Sequence, residues 1–118
     1  MLRGEREMKV LFVCSRNKWR SRTAETLFGN HPEHQVRSAG TEREARIRVS
    51  EGLVSWADLI FVMEKKHRTR LREAFPSAMQ DKDVVILEIP DDYEYMDPEL
   101  VQMLEASVRP HLDGHHRS

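Results

Sequence analysis

Cysteine is nearly absent from this sequence, which has one thiol, Cys14, among its 118 residues. A single cysteine excludes an internal disulfide and a cysteine-rich metal site, and it fits a reducing compartment. Long hydrophobic runs are also absent, because no apolar stretch approaches the roughly 20 residues that cross a bilayer. The charged segment 1–8 lacks the apolar core of a signal peptide. We therefore expect a cytoplasmic protein that does not span a membrane.

Charge is what the sequence has in abundance, at 33% of its residues, beside an apolar share of 39% that suffices for one modest core. We expect a single domain over 1–118, with flexible ends at 1–7 and 111–118. Residues 1–72 contain 16 Lys and Arg against 9 Asp and Glu, whereas residues 73–118 contain 3 against 11. The basic first part indicates an anionic ligand, and the acidic second part argues against a dedicated nucleic-acid binder.

Hydrophobic patterning predicts strands that alternate with helices. The predicted strands are 8–13, 36–38, 57–63 and 84–89, and the predicted helices are 20–28, 42–56, 64–75 and a last one that begins at Pro98 and frays after Pro110. Asp97 is interpreted as the cap of that last helix. The alternation implies right-handed crossovers and a parallel sheet with helices on both faces. Because ligands bind beyond the carboxyl ends of such strands, loops 14–20 and 90–96 are the candidate ligand sites.

The first of these loops, residues 14–20, carries the chemistry and is called the Cys14 loop below. Cys14 ends the first predicted strand, and Arg20 begins the next helix. The backbone N–H groups of such a loop, aided by the helix dipole, can converge on one anion. This positive potential favours the thiolate form of Cys14, while Arg20 can hold two phosphate oxygens and Ser21 can donate a hydrogen bond to the sulfur. The arrangement suits nucleophilic attack on phosphorus; the alternative is a cysteine that only packs at a strand end.

Segment 13–25 resembles the signature of low-molecular-weight protein tyrosine phosphatases, which has Cys, two residues, Asn, two residues, Arg, Ser and soon afterwards Ala-Glu. The matching residues are Cys14, Asn17, Arg20, Ser21, Ala24 and Glu25. The resemblance continues at 38–41 and 57–63 and into the helix that contains His67. It supports a three-layer α/β/α fold with a four-stranded parallel sheet, in which the strand order is 2-1-3-4 and a phosphate-binding loop follows strand 1.

The resemblance also implies roles for the loop residues, without a metal or a cofactor. Cys14 would be the nucleophile and Arg20 the phosphate clamp, while Asn17 would brace the loop and Ser21 would tune the thiolate. The phosphate-binding residues would be Ser15, Arg16, Asn17, Lys18, Trp19 and Arg20. The sequence departs from the family at Arg16 and Arg22, where glycine and proline are usual. It is also shorter at 41–56, a region that in the family helps to select the substrate.

The general acid is expected in the loop after the fourth strand, where the family has Asp followed by Pro and Tyr. Aligning the sequence on Pro90 and Tyr93 puts Asp91 at the acid position and Asp92 at the usual proline, so we favour Asp91 as the acid, with Asp92 and Tyr93 in support. Trp19 and Tyr93 are the aromatic residues that could stack on a substrate ring, although both could equally serve packing.

These features predict a phosphomonoester hydrolase, similar to protein tyrosine phosphatases, that forms a cysteinyl-phosphate on Cys14. Its expected partner is a phosphorylated protein or a small phosphomonoester, and neither nucleic acid nor a membrane. Two alternatives stay open on the same fold, a non-catalytic phosphate-binding module and an arsenate reductase. Because Cys14 is the only cysteine, arsenate reduction would need an external thiol. Binding of nucleic acid by the basic part is a further alternative, which predicts strong salt dependence.

Overall fold

A computed structural model describes residues 7–113, and their central element is a four-stranded parallel sheet. The strands are β1 (Lys9–Cys14), β2 (Gln35–Gly40), β3 (Leu59–Val62) and β4 (Asp83–Ile86). The helices are α1 (Arg20–Phe28), α2 (Glu51–Trp56), α3 (Lys65–Ala74), α4 (Pro76–Met79) and α5 (Pro98–Asp113). The spatial order β2-β1-β3-β4 confirms the predicted order. The ends that we predicted to be flexible lie, for 1–6 and 114–118, outside the described residues.

Both faces of the sheet are covered, which explains why β1 is an almost continuous apolar run. Val10 and Phe12 point to the core under α1 and α5, where the ring of Phe12 stacks on that of Phe61 with centroids 5.1 Å apart. Leu11 and Val13 point to the opposite core, under α2, α3 and α4. This is the predicted three-layer arrangement, and it determines where the last residue of β1 lies.

The strand register brings three loops to one edge of the sheet. Cys14, the last residue of β1, is paired with Gly40 at the end of β2, and Val13 is paired with Val62 at the end of β3. Ile86 at the end of β4 lies beside Val62. Because carboxyl ends of parallel strands meet at one edge, the Cys14 loop, the start of α3 and the loop after β4 are neighbours.

The helix predicted over 42–56 is wrong for its first half, since only Glu51–Trp56 is helical. Residues 41–49, called the outer segment below, have no helix because several of their backbone donors bond to the Cys14 loop instead of to the preceding turn of a helix. Thr41 N, for example, donates to Cys14 O at 2.9 Å. The helix then begins at a cap, where the Ser50 side chain accepts from Leu53 N at 3.2 Å.

The last helix also differs from its prediction, because it runs through Pro110 to Asp113. Pro inside a helix removes a hydrogen bond and costs about 3 kcal/mol. Leu112 is fully buried in the core under α1, and its carbonyl oxygen accepts from His34 Nε2 at 2.9 Å. Burying such a side chain contributes roughly 2 kcal/mol, which offsets most of the proline penalty. The helix predicted over 64–75 ends at Ala74, and a separate short helix, α4, begins at Pro76. None of the helices within residues 7–113 is long and apolar enough to cross a membrane.

Candidate active site

Cys14 is buried at the base of the Cys14 loop, with 2% of its surface exposed. Its sulfur lies 3.2 Å from the Asn17 backbone nitrogen, whose N–H donates to it, and 2.9 Å from Ser21 Oγ. Ser21 follows Arg20 in the first turn of α1, and this position places its side chain next to the Cys14 sulfur. A thiolate at this position would accept hydrogen bonds from both the Asn17 N–H and the Ser21 hydroxyl.

Asn17 holds the loop in its curved shape. Its φ of 58° lies in the left-handed region, which Asn adopts more readily than most residues. The fully buried side chain donates from Nδ2 to Ser21 Oγ at 2.7 Å and to Ser38 Oγ at 2.9 Å. Asn17 thus joins the loop to α1 and β2 from the inside, and it is not among the residues that line the pocket.

The outer segment turns the backbone of the Cys14 loop so that its donors face inward. Four consecutive carbonyl oxygens of the loop accept hydrogen bonds from this segment. The bonds are Thr41 N to Cys14 O, Glu42 N to Ser15 O and Arg46 N to Arg16 O, each 2.9 Å, and Arg46 Nε to Asn17 O at 3.1 Å. In a trans peptide the N–H points away from the preceding carbonyl, so the N–H groups of residues 15–18 face the opposite side. That side holds the Cys14 sulfur, and the converging amides form a concavity of the kind that can bind an anion.

Arg20 closes the concavity at the start of α1. Its side chain is almost completely buried, and Nη1 donates to Glu64 Oε2 at 2.5 Å and to Ile89 O at 2.7 Å. Arg20 Nε lies 3.7 Å from Asp91 Oδ1, whose side chain is 57% exposed. Nη1 is thus bound by the cap of α3 and by the loop after β4, and Arg20 is also one of the residues that line the pocket.

Glu64 and His67 link the start of α3 to the Cys14 loop. Glu64 caps α3 through a reciprocal pair of bonds with His67, whose Nδ1 accepts from Glu64 N at 3.0 Å. An Nδ1 that accepts leaves the proton on Nε2, which donates to Ser15 Oγ at 2.9 Å. The Ser15 hydroxyl hydrogen then remains to donate elsewhere. The same helix cap therefore holds both ends of the loop, Ser15 through His67 and Arg20 through Glu64.

The charges around this cap set the protonation of both residues. Burial, together with the nearby Arg20 charge, lowers the pKa of the His67 imidazole from 6.5 to about 4, so His67 is neutral near pH 7. Burial by itself would raise the pKa of Glu64, but the hydrogen bond and the charge of Arg20 outweigh it and lower that pKa. The buried Arg20 cation is therefore faced by a carboxylate and a neutral imidazole.

The loop and its neighbours enclose a pocket of about 140 Å³. The lining residues are Cys14, Ser15, Arg16, Lys18, Trp19, Arg20, Glu42, Lys66 and Asp91. Asp91 borders the pocket, whereas Asp92 does not belong to this lining. Tyr93 is half-buried against the core under α1 and α5, and the aromatic residue at the mouth is Trp19, 39% exposed. Asp97 accepts from Glu99 N at 2.9 Å at the start of α5, as expected of a cap.

Four residues at or beside the site are not predicted from the sequence, namely Glu64, His67, Glu42 and Lys66. Glu64 and His67 follow β3 directly, and the rule that ligands bind beyond the carboxyl ends of parallel strands applies to that turn as well. The predicted ligand sites are only the loops after the first and fourth strands, so the turn after β3 is missing from them. Glu42 could not have been found this way, because its position depends on the irregular path of the outer segment.

Comparison with known proteins identifies the fold. No family model and no curated protein matches the chain. Its structure resembles the tyrosine phosphatase Wzb from Escherichia coli K30 in complex with phosphate, with a TM-score of 0.75, 21% identity and coverage of 90% of this chain and 96% of that one. It also resembles a low molecular weight phosphotyrosine phosphatase from Vibrio cholerae O395, with a TM-score of 0.73, 19% identity and coverage of 93% and 97%.

A third similar structure is the YwlE arginine phosphatase from Geobacillus stearothermophilus, with a TM-score of 0.66, 21% identity and coverage of 94% of this chain and 99% of that one. The fold is therefore that of the low-molecular-weight protein tyrosine phosphatases, whose structures are the neighbours of this chain.

Proposed function

We propose that this protein is a phosphomonoester hydrolase, similar to protein tyrosine phosphatases, that acts in the cytoplasm through a cysteinyl-phosphate on Cys14. The observation that carries the proposal is the Cys14 sulfur at the base of a pocket toward which loop amides converge, with Arg20 at one side and Asp91 at the border. The likeness to phosphatase structures supports the same class of reaction.

In the first step the Cys14 thiolate attacks phosphorus in line with the leaving oxygen, and the S–P bond forms as the P–O bond breaks. The inward N–H groups and the Arg20 guanidinium stabilise the negative charge on the transferring phosphoryl oxygens. Asp91, protonated at this stage, donates its proton to the leaving oxygen. Asp91 can reach that oxygen because it borders the pocket, which Asp92 does not.

In the second step the Asp91 carboxylate takes a proton from a water molecule that attacks the cysteinyl-phosphate. Orthophosphate leaves, and the sulfur returns to the thiolate form. Ser21 Oγ, at 2.9 Å, donates to the sulfur as a leaving group and so favours its departure. The cycle needs neither a metal ion nor a cofactor, since the charges are handled by the loop, Arg20 and Asp91.

The size of the pocket and its exposed mouth limit the class of substrate. The space of about 140 Å³ holds a phosphoryl group but not the remainder of a substrate, which must lie outside against the mouth. Trp19 offers an exposed ring there for stacking on an aromatic phosphate ester. Phosphotyrosine in a protein and a small phosphomonoester are both compatible with such an open mouth.

The test is turnover of p-nitrophenyl phosphate by the purified chain in the presence of a chelator, with phosphotyrosine and phosphoarginine peptides measured beside it. Cys14→Ser is expected to abolish turnover. Asp91→Asn is expected to lower kcat by a factor of roughly 100 to 10,000, the usual contribution of general acid–base catalysis. Asp92→Asn is the matched control, with at most a small change.

Two outcomes would contradict this assignment. Equal losses for Asp91→Asn and Asp92→Asn would remove the distinction between the two carboxylates. Binding of phosphate or vanadate without any turnover by the unaltered chain would favour a phosphate-binding module instead.

A further inference from the structure

A basic groove of about 410 Å³ runs beside the Cys14 pocket. Its lining residues are Arg16, Lys18, Arg22, Glu44 and Arg46, and thus four cations and one carboxylate. Arg16 and Lys18 also line the Cys14 pocket, so the two spaces adjoin at these residues. A ligand whose phosphoryl group sits over Cys14 can extend directly into this groove.

Two of the four cationic side chains, Arg46 and Arg16, already contact carboxylate or carbonyl oxygens of this chain. Arg46 Nη2 lies 3.6 Å from Glu25 Oε1, and its Nε donates to the backbone of the Cys14 loop. Arg16 Nε lies 3.4 Å from Glu42 Oε1 in a pair that is largely solvent-exposed on the arginine side. Arg46 is therefore part of the support of the loop, and Arg16 is weakly compensated.

The other two cations, Lys18 and Arg22, form no ion pair with a carboxylate among residues 7–113. Lys18 Nζ lies 5.6 Å from the centroid of the Trp19 ring, and the Arg22 guanidinium lies 4.5 Å from the centroid of the Tyr95 ring. Aromatic faces orient a cation but do not neutralise it. The groove thus presents two oriented and uncompensated positive charges to solvent.

The position of Arg22 makes its charge more unusual. It lies in the first turn of α1, which contains no acidic residue. The helix dipole places partial positive charge at that end, so a carboxylate would stabilise the turn and an arginine destabilises it. Local helix stability does not account for this side chain. An anion bound between Arg22 and Lys18 would interact favourably with both positive charges and with the positive end of the helix dipole.

We propose that the substrate carries a second phosphate group, which this basic groove binds while the scissile phosphate occupies the Cys14 pocket. The inference rests on the proposed phosphatase function and narrows its substrate class to small bisphosphorylated molecules. A guanidinium and an ammonium that line one groove suit a dianionic phosphate, because the guanidinium can bind two of its oxygens and the ammonium a third. Trp19, which lines the Cys14 pocket and is partly exposed, can lie against the part of the substrate that links the phosphates.

The experiment compares kcat/KM for matched pairs at fixed ionic strength. The pairs are adenosine 3′,5′-bisphosphate with adenosine 5′-monophosphate, and fructose 1,6-bisphosphate with fructose 6-phosphate, which distinguish a nucleotide from a sugar source. The unaltered chain is expected to prefer the bisphosphate of at least one pair by roughly tenfold or more, the usual effect of charge-assisted hydrogen bonds. Arg22→Gln is expected to remove most of this preference while turnover of p-nitrophenyl phosphate is retained.

Arg72→Gln, an exposed arginine in the last turn of α3, is the matched control and should leave the preference intact. The absence of any preference for bisphosphates, in a chain that hydrolyses p-nitrophenyl phosphate, would overturn the inference and leave the proposed function standing. A stronger preference for phosphopeptides with flanking acidic residues would also overturn it, because carboxylates would then be the natural occupant of the groove.

A binding measurement keeps the inference testable if the chain hydrolyses nothing. Calorimetric titration of the Cys14→Ser variant with the same pairs is expected to show tighter binding of a bisphosphate, again by roughly tenfold, and loss of that advantage on adding Arg22→Gln. Equal affinities within both pairs would refute the second phosphate site independently of catalysis.

Discussion

The guanidinium of Arg20 is buried, and its orientation depends on what holds its Nη1 atom. Glu64 Oε2 and Ile89 O bind that nitrogen from two different elements, at 2.5 and 2.7 Å. The carboxylate also compensates a cation that has little contact with water, and removing one partner of such a pair leaves a costly buried charge. Glu64 is therefore a positioning residue for the proposed reaction, acting through Arg20.

We predict that Glu64→Ala lowers kcat/KM for p-nitrophenyl phosphate by roughly tenfold to a hundredfold, because a misplaced clamp no longer fits the transferring phosphoryl oxygens. Glu64→Gln keeps an acceptor of the same shape and should restore part of the activity. Steady-state kinetics on folded protein, checked by circular dichroism, would decide the matter. Full activity of the alanine variant would show that Ile89 O alone orients Arg20.

At the scale of elements, the strands and most helices followed from the sequence because each is encoded locally. The apolar run of β1, the Gly29-Asn30 stop after α1 and the Asp97-Pro98 start of α5 are signals within a few residues. The outer segment is different, since its shape is set by hydrogen bonds to residues more than twenty positions away. No periodicity in 41–50 could have revealed those bonds, and the residual helical pattern there was misleading.

The close approach of β2 to the Cys14 loop depends on Gly40. A Cβ at this position would lie 2.5 Å from Ser15 O and 2.9 Å from the carbonyl carbon of Arg16, both backbone atoms that cannot move without reshaping the loop. We predict that Gly40→Ala destabilises the fold by about 2 kcal/mol or more, and that it slows alkylation of Cys14 by iodoacetamide. Urea unfolding and the alkylation rate measure the two effects.

Gly52→Ala is the matched control, because its nearest neighbour would be Ser50 Oγ at 3.8 Å. Gly52 lies within α2, where alanine should stabilise the helix by up to about 1 kcal/mol. Equal effects of the two substitutions would mean that the contact at Gly40 is easily relieved.

At the scale of the whole molecule, the order of the sheet and the two cores were predictable from the alternation of strands and helices. The candidate site was predictable in part, because the Cys14 loop and Asp91 lie beyond strand ends. Glu64 and His67 were not predicted as site residues, because they form a helix cap that also supports a neighbouring loop. The stability of the molecule is tied to this cap, since His67 is fully buried and neutral.

We predict that stability falls as the pH decreases from about 6.5 to about 4, because the unfolded chain then binds a proton at His67 that the folded chain does not. The contribution of neutral His67 to the free energy of unfolding is fully present above the pKa that His67 has in the unfolded chain. It is lost as the pH falls toward the pKa of His67 in the folded chain, and the total loss is up to about 3 kcal/mol. Urea midpoints measured across this range should decline more steeply for the unaltered chain than for His67→Gln. Parallel pH profiles would show that other groups account for the decline.

The solitary thiol at the base of the pocket has a consequence for oxidative stress. Peroxide converts a reactive thiolate to a sulfenic acid, and a neighbouring cysteine commonly rescues it by forming a disulfide. This chain has no second cysteine to do so, and the buried Cys14 is enclosed by Ser21 and Asn17. Recovery from oxidation would then depend on a thiol small enough to enter a space of about 140 Å³, and without one the sulfur would proceed to the irreversible sulfinic state.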